Sequence, residues 1–441
     1  MIHDDSETST LDDWLSRLEH QHPVAIELGL ERVARVAERL GLTASALGGR
    51  VVTVAGTNGK GSTVAMIERL ARTHGLSTAA YTSPHLIRYN ERLRFDGESA
   101  DDATLIDGFA RVEAARLDGE PVSLTYFEAG TLAAMVGMAQ RRADIAILEV
   151  GLGGRLDAVN VIDTDVAVIT TIAHDHADFL GDDLDGIGHE KAGILRAARP
   201  AVLGSRVLPA SVGERLEALA CSSYWLGRSF DHRLGDDGRW SWWGANASGM
   251  EERANPVETG GSRYEFDSLP DPGLPLDNAA AALQALALCG VALDPAAAVT
   301  AFASVSLTGR LQWRGQWCLD VAHNHHAASY VADRLASRPH PPRRIALIGV
   351  LADKDADALV TALMPVVDAW VAVGLTGPRG RSGEALAECL GERGITPEAV
   401  CDSPAAGVQW LLPRLTDGEE VLVCGSFHTV GEALVGLGDA S

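Results

Sequence analysis

The sequence is short of positive charge, of aromatic residues and of long apolar runs. Its 441 residues carry 37 Lys and Arg against 60 Asp and Glu, a formal charge of −23, and only 5% are aromatic. A chain this acidic is a poor non-specific binder of nucleic acid, whose affinity rests on cations that neutralise phosphates. An anionic ligand must instead be held by local glycine loops, Mg2+ and a few arginines, against an unfavourable overall field. Cysteine is scarce too. Cys221, Cys289, Cys318, Cys389, Cys401 and Cys424 include no C-x-x-C pair, which reads as buried thiols in a reducing compartment, hence the cytoplasm. Apolar runs fall short of a membrane span, and the acidic stretch Met1–Thr10 lacks the basic and apolar regions of a signal peptide. With 46% apolar and 22% charged residues the chain is globular. It is also too long for one ordinary core, so two domains are expected.

What is present is concentrated in Val51-Val52-Thr53-Val54-Ala55-Gly56-Thr57-Asn58-Gly59-Lys60-Gly61-Ser62. A β-branched run ends in a glycine loop with one lysine and one hydroxyl. Thr63–Thr73 then places Ala65, Met66, Ile67, Leu70 and Ala71 at helical spacing. Strand, glycine loop and helix make a cradle for phosphate: glycines let backbone N–H groups approach the anion, and the helix N-terminus adds partial positive charge. Lys60 is placed for the β/γ-phosphates and Ser62 for Mg2+. The spacing departs from G-x-x-x-x-G-K-[ST], because Gly61 separates Lys60 from the hydroxyl. An ordinary strand-to-helix turn would satisfy the same residues, so the rest of the chain decides.

Short β-branched runs alternate with helical patterns. Strands are expected at Val51–Val54, Ile145–Val150, Val166–Thr170, Cys318–Val321, Arg344–Val350, Trp370–Val373 and Val421–Cys424. Helices are expected at Thr63–Arg72, Phe127–Gln140, Ala279–Leu288, Ala327–Ala336 and Asp355–Leu363. This predicts an α/β fold with parallel sheets, whose ligands gather at the carboxyl ends of the strands. Ser229–Asp271 differs, with Trp240, Trp242 and Trp243 among Gly, Asp, Asn and Arg. It predicts antiparallel hairpins appended to the first domain, the tryptophans packing between them rather than stacking on a base. A boundary is expected at 304–309, dividing residues 1–303 from 310–441.

Glu149 ends an apolar run, where a carboxylate beside a phosphate loop can hold Mg2+. Gly151-Leu152-Gly153-Gly154-Arg155-Leu156-Asp157 follows as a loop able to bend closely around a ligand. After the next strand, Ile172-Ala173-His174-Asp175-His176-Ala177-Asp178 reads as a metal site. Its H-x-H would suit zinc or iron in a metal hydrolase, but the phosphate loop and Glu149 favour oxygen-rich Mg2+ coordination. Lys191 lies in a helical segment near these groups, and spacing alone does not separate it from a solvated lysine. In the second half, Asp320-Val321-Ala322-His323-Asn324, Asp353-Lys354-Asp355 and Ser426-Phe427-His428 each follow an expected strand. Several strand ends therefore turn polar groups to one edge, taken as the interdomain face. A P-loop NTPase regulatory module, the reading of a different class, needs no such second edge.

At these residues the chain resembles the Mur-ligase-like, ATP-dependent amide-bond synthetases, and among them the bacterial bifunctional dihydrofolate synthase/folylpolyglutamate synthase family. The likeness spans Asp12 to Leu434 and follows the family's order through Ile26–Val33, Ala55–Ser62, Ser83–Leu86, Leu124–Glu128, Leu148–Asp157, Asp175-His176, Glu190–Gly193, Gly309-Arg310, Asp320–Asn324 and Gly425–Val430. It implies a Mur-ligase-like α/β fold, with an N-terminal P-loop ATPase domain on a parallel sheet and a smaller C-terminal α/β domain. It also implies an acid–amino-acid ligase. ATP converts the carboxylate of dihydropteroate, or of the glutamate tail of a tetrahydrofolate, into an acyl phosphate, which the amine of L-glutamate attacks.

On this resemblance Asn58, Gly59, Lys60, Gly61 and Ser62 hold the triphosphate, with Asn278, Arg310 and Asp320 completing the nucleotide site. Ser83, Glu149 and His176 ligate Mg2+, and Lys191, carbamylated, serves a second Mg2+. The pterin meets Glu27, Leu28, Gly29, Thr125, Tyr126, Phe127, Glu128, Leu156, Asp157 and Ala158. Lys60, Lys191, His323 and Asp320 are the catalytic candidates, the amine's base being left open between His323 and Asp320. Leu124–Glu128 favours the bifunctional type over a ligase that only lengthens folate tails or another Mur-type ligase. The implied protein is a monomer whose partners are ATP, L-glutamate, dihydropteroate and reduced folates, with no nucleic acid and no membrane. Ser62 stands where many relatives have Thr, His174 where an apolar residue is usual, and Val159 where Thr is usual. His325 replaces a usual proline, which removes a φ restraint from the loop carrying His323.

Overall fold

The structure is a computed structural model that describes residues 10–22, 27–174, 181, 183–246 and 263–438. Val51, Val52, Thr53, Val54 and Ala55 are all buried. A run without a solvent face belongs in the middle of a sheet covered on both sides. It forms β1 (Gly48–Ala55), paired in parallel with β5 (Ala143–Glu149) and β6 (Val166–Ile169), Val52 lying level with Ile147 on one side and Val166 on the other. Around these lie β2 (Thr78–Tyr81), β7 (Pro200–Leu203) and β8 (Ser222–Trp225), also parallel. The short β3 (Leu93–Phe95) and β4 (Glu98–Ser99) pair antiparallel at one edge. Among the described residues the order is β4-β3-β2-β5-β1-β6-β7-β8.

The helix Lys60–Thr73 begins as soon as the glycine loop ends. That is earlier than the apolar spacing predicts, because the first helical turn carries N–H groups that need no intrahelical acceptor and so tolerates Gly61 and Ser62. It packs against the helix Leu276–Leu288, whose buried alanines let the two backbones approach. The helix Tyr126–Arg141 starts with a reciprocal cap: Glu128 N donates to Thr125 Oγ1 at 3.2 Å, and Thr125 N donates to Glu128 Oε2 at 2.8 Å.

The expected hairpins are β9 (Asp231–Leu234), β10 (Trp240–Ala245) and β11 (Arg263–Leu269), antiparallel in the order β11-β10-β9. Trp240 packs on Phe302 and Trp242 on Phe266, both tryptophans fully buried. The Arg263 guanidinium covers Trp243, 3.8 Å from its ring centre. Packing therefore accounts for the tryptophans, as expected.

The chain divides into two units, residues 1–83 with 90–305 and residues 84–89 with 306–441. The second unit holds β12 (Gln312–Arg314), β13 (Trp317–Leu319), β14 (Arg344–Ile348), β15 (Ala369–Val373), β16 (Ala399–Cys401) and β17 (Glu420–Cys424) in the order β12-β13-β17-β14-β15-β16. β12 runs antiparallel to β13 and the other pairs are parallel. Its amino edge is closed structurally: the buried Arg344 gives Nη2 and Nε to Glu420 Oε2 at 2.7 and 3.0 Å and Nη1 to Val366 O at 3.1 Å. A buried cation is tolerated only when its donors find acceptors in this way. Leu86 packs on the helix Phe427–Gly436 that follows β17, so closely that a Cβ on Gly431 would lie 2.3 Å from Leu86 O. The cysteines are unpaired, and burial pushes the Cys289 thiol up to about 12.

Candidate active site

β1 delivers the chain to Gly56 at the carboxyl edge of the first sheet. Residues 56–59 are stapled to the segment after β6. Thr57 N donates to Thr171 O at 2.6 Å, Thr57 Oγ1 to Ala173 O at 3.0 Å, and Thr170 Oγ1 to Asn58 O at 2.7 Å. Two glycines are required sterically. Gly56 has φ +150° and a Cβ there would lie 1.9 Å from Thr170 Oγ1; Gly59 has φ +89° and a Cβ would lie 2.6 Å from Asn278 Nδ2. The Asn278 amide thus rests on the loop. Gly59 begins the helix Lys60–Thr73 without a side-chain cap, so the first-turn N–H groups are those a phosphate would meet. Lys60 Nζ donates to Gly56 O and Thr57 O at 2.9 and 3.2 Å, and Ser62 is buried in the first turn.

On the same edge Glu149 ends β5 and Ser83 follows β2, the neighbouring strand. Glu149 is buried, and its Oε2 accepts Ser83 N at 3.3 Å. A carboxylate beside a serine hydroxyl is a hard oxygen donor set suited to Mg2+, with phosphate oxygens able to fill further positions. Asp175 and His176 lie outside the described residues; among those described, no three His, Cys, Asp or Glu side chains gather into a metal cage. Lys191 is the last residue of the helix Leu184–Lys191 and only 4% exposed. The loop after Glu149 abuts it: Arg155 N donates to Glu190 O at 2.8 Å, Arg155 Nη2 to Glu190 Oε1 at 2.7 Å, and a Cβ on Gly154 would lie 3.2 Å from Lys191 Cα. Asp157 closes that loop by accepting N–H from Gly151, Leu152 and Val159 at 3.1, 2.8 and 3.0 Å. Burial pushes its carboxyl from 3.8 up to about 6, against the pull of those N–H groups and of Lys60.

One arginine joins the Glu27–Gly29 segment to the Thr125 turn. Arg32 reaches the Glu27 carboxylate, and its Nη2 donates to Glu27 O at 3.1 Å and Glu128 Oε1 at 2.9 Å. Phe127 lies against the next segment, since a Cβ on Gly151 would fall 2.5 Å from its ring and 3.3 Å from Asp157 Oδ2. Tyr81 Oη is 3.1 Å from Thr131 Oγ1, and the Arg92 guanidinium lies 5.8 Å from the centre of the Tyr126 ring. Burial pushes the Tyr126 phenol up to about 12. Leu156 is half-buried and Ala158 buried. The candidate segments Glu27–Gly29, Thr125–Glu128 and Leu156–Ala158 are therefore linked, with aromatic walls and a few fixed polar groups, the composition of a small-molecule site.

In the second unit Arg310 lies 5.1 Å from the Phe427 ring centre. Next to it Leu311 adopts φ +43°, a left-handed conformation disfavoured for residues with a Cβ. Asp320 holds it there: Oδ2 accepts Leu311 N at 2.9 Å and Oδ1 accepts Ala322 N at 2.8 Å. Burial raises the Asp320 carboxyl, opposed by Arg310, these N–H groups and His323. His323 Nδ1 sits 2.9 Å from Val321 O, a carbonyl that can only accept, so Nδ1 is the donor and Nε2 is the ring nitrogen left to face a ligand. Asn324 caps the helix His325–Ala336 through Ala327 N at 2.9 Å. This cap keeps the turn in place with His325 where proline is usual.

The sequence candidates omit Thr170, Thr171 and Arg32. A pair of hydroxyls directly after a β-branched run was the available signal for the first two. Arg32 lies five residues from the candidate Glu27, but what sets it apart, its bond to Glu128, comes from 96 residues away.

Residues 54–204 match the Mur ligase middle domain, and residues 309–427 the Mur ligase, glutamate ligase domain. The dihydrofolate synthase/folylpolyglutamate synthase of Escherichia coli (strain K12) is 41% identical over 97% of this chain and 95% of its own length. That of Haemophilus influenzae is 37% identical over 96% and 97%. The solved E. coli FolC in complex with DHPP and ADP has a TM-score of 0.88 at 39% identity, covering 98% of both chains. A bifunctional folylpolyglutamate synthase/dihydrofolate synthase with Mn, AMPPNP and L-glutamate bound has a TM-score of 0.86 at 40% identity, again over 98% of both.

Proposed function

Because the chain belongs to the dihydrofolate synthase/folylpolyglutamate synthase family of Mur ligases, we propose a role for each group along its two sheet edges. The protein is an ATP-dependent acid–amino-acid ligase that works with a divalent metal. It joins L-glutamate to dihydropteroate, giving dihydrofolate, and to the glutamate tail of reduced folates.

A carboxylate resists amines because its oxygen is a poor leaving group. Its oxygen therefore attacks the γ-phosphorus of ATP, ADP leaves, and an acyl phosphate forms. The glutamate amine then attacks the acyl carbon, and phosphate departs with the electron pair of the C–O bond. In this scheme residues 58–62 take the triphosphate, and Lys60 exchanges its loop carbonyls for phosphate oxygens, where it meets the charge that develops in transfer. Asn278 holds the Gly59 side of the loop. Arg310 contributes a second cation, its direction limited by the Phe427 ring.

Ser83, Glu149 and His176 would hold one Mg2+, and Lys191, as its carbamate, would serve a second. Bound there, a divalent metal would polarise phosphoryl oxygens. The amine's proton passes to His323 Nε2, Nδ1 being engaged with Val321 O, while Asp320 accepts N–H from Leu311 and Ala322 and orders the backbone beside Arg310. Asp320 then acts on the nucleotide through Leu311 and the adjoining Arg310. The pterin lies among the Glu27–Gly29, Thr125–Glu128 and Leu156–Ala158 segments.

The observation that carries this reading is the glycine loop clasped between Thr170 and Asn278, beside the Glu149–Ser83 contact. Its test is incubation with ATP, Mg2+, L-glutamate and dihydropteroate. Dihydrofolate should appear by mass, with phosphate released in step; neither product forming would overturn it. The reading includes a cytoplasmic monomer. Unpaired cysteines support the compartment, and no helix among the described residues is long and apolar enough to cross a membrane.

A further inference from the structure

A buried ion pair joins the phosphate-loop helix to the turn that leads into Ser83, and the scheme above gives it no part. Glu68 lies about two turns beyond Gly61 in the helix Lys60–Thr73, on the same side of it. Its side chain is 7% exposed, and that of its partner Arg94 is 16% exposed. Arg94 Nε and Nη2 both donate to Glu68 Oε2, at 3.0 and 2.9 Å. Glu68 Oε1 is buried and finds no donor among the described residues. A buried ion pair with one oxygen left over is a poor source of stability, because apolar side chains of similar volume often serve as well. This pair does something else: it fixes a neighbour.

That neighbour is Thr82. Arg94 stands level with Ala80 across the β2–β3 pair, and Thr82, two residues after Ala80, continues the same face. The remaining arm of the guanidinium, Nη1, donates to Thr82 Oγ1 at 3.1 Å and to Glu91 O at 3.4 Å. Thr82 N donates to Arg92 O at 2.8 Å. Side chain and backbone of Thr82 are thus both held. Ser83 comes next, and its N makes a long contact with Glu149 Oε2, 3.3 Å. A serine hydroxyl goes where its backbone puts it, and a ligating group must be placed to within roughly 0.5 Å.

We propose that Arg94 is a positioning residue for the metal: anchored on Glu68, it fixes Thr82 and, through Thr82, the Ser83 hydroxyl beside Glu149. The proposal rests on the metal reading of Ser83 and Glu149 given above. A guanidinium is required because one planar fork spans a carboxylate on one side and a hydroxyl on the other, where an ammonium would reach one of them. The same fork refers the metal ligand to the helix whose first turn meets the phosphates.

The test is calorimetric titration with AMPPNP, with and without Mg2+, of wild type, Thr82→Val, Thr82→Ser and Arg94→Lys. In the wild type Mg2+ should tighten AMPPNP binding. Thr82→Val keeps the shape of the side chain and the Glu68–Arg94 pair, and loses the hydroxyl. Its metal-free affinity should stay within about twofold of wild type while the tightening by Mg2+ falls roughly tenfold, a usual cost of removing a group behind a metal ligand. Thr82→Ser returns the hydroxyl and should return the tightening. Arg94→Lys should repeat the Thr82→Val result, and it carries the test if Thr82→Val does not fold. In turnover the Mg2+ concentration for half-maximal rate should rise by the same factor, with the KM for L-glutamate within about twofold. Tightening unchanged in Thr82→Val and Arg94→Lys, or an equal loss of affinity with and without Mg2+, overturns the proposal. Wild-type protein whose affinity for AMPPNP does not respond to Mg2+ overturns the metal reading itself, before any variant is compared.

Discussion

At Lys60 the ammonium donates to two carbonyls of its own loop at the edge of the sheet. Lys60→Ala is expected to keep the wild-type melting temperature while kcat falls by about 10^2- to 10^3-fold, the usual effect of losing one group that meets developing charge. Near-normal turnover would remove Lys60 from the mechanism. Lys191 calls for a different experiment. If its amine works as a carbamate, Lys191→Ala should be inactive and partly restored by a short added carboxylic acid; no rescue would leave it a plain lysine. Asp157 gives a pH test. Its carboxyl ionises at about 6 in the fold against an ordinary 3.8. The folded chain therefore holds more protons between those values, and this group's contribution to stability falls as pH rises through that window and is level above it. The difference in melting temperature between wild type and Asp157→Asn should change from about pH 4 to pH 6 and stay flat at higher pH.

At the scale of elements, parallel strands ending in polar residues were readable from the sequence, because each buried strand is a continuous β-branched run and its end is marked by the first charged or glycine residue. The run Val51–Ala55 and the end at Glu149 needed no tertiary information. What ties the elements together was not readable. The hydroxyls of Thr170 and Thr171 meet Asn58 across two strands, and Asn278 meets Gly59 from a distant helix; a local window contains neither partner. Arg32 is the clearest case, since it links the loop before one helix to the reciprocal cap that begins another. Arg32→Gln should therefore loosen the pterin segments without touching the phosphate loop. Its KM for dihydropteroate should rise by about tenfold with the KM for ATP unchanged, and a parallel rise in both would assign Arg32 to general stability.

At the scale of the whole molecule, the segment 84–89 belongs with residues 306–441 although β2 and β3, on either side of it, belong to the first sheet. Gly431 is the notch that receives it. Gly431→Ala would drive a methyl group into Leu86 O and should cost about 1–3 kcal/mol, read by thermal melting. Gly391, in the helix Gly383–Glu392, meets nothing within 4 Å; Gly391→Ala should be neutral or stabilising by up to about 1 kcal/mol. Equal effects at the two sites would discount the notch.

Because the chain passes from one unit to the other at 83/84, at 89/90 and at 305/306, the units are not beads on a string. A single genetic crossover near residue 305 would hand a foreign first half to a second half that has lost its own Leu86. Modular exchange is therefore closed to this architecture unless the notch and the segment that fills it are inherited together, so the two halves are bound to diverge as a pair.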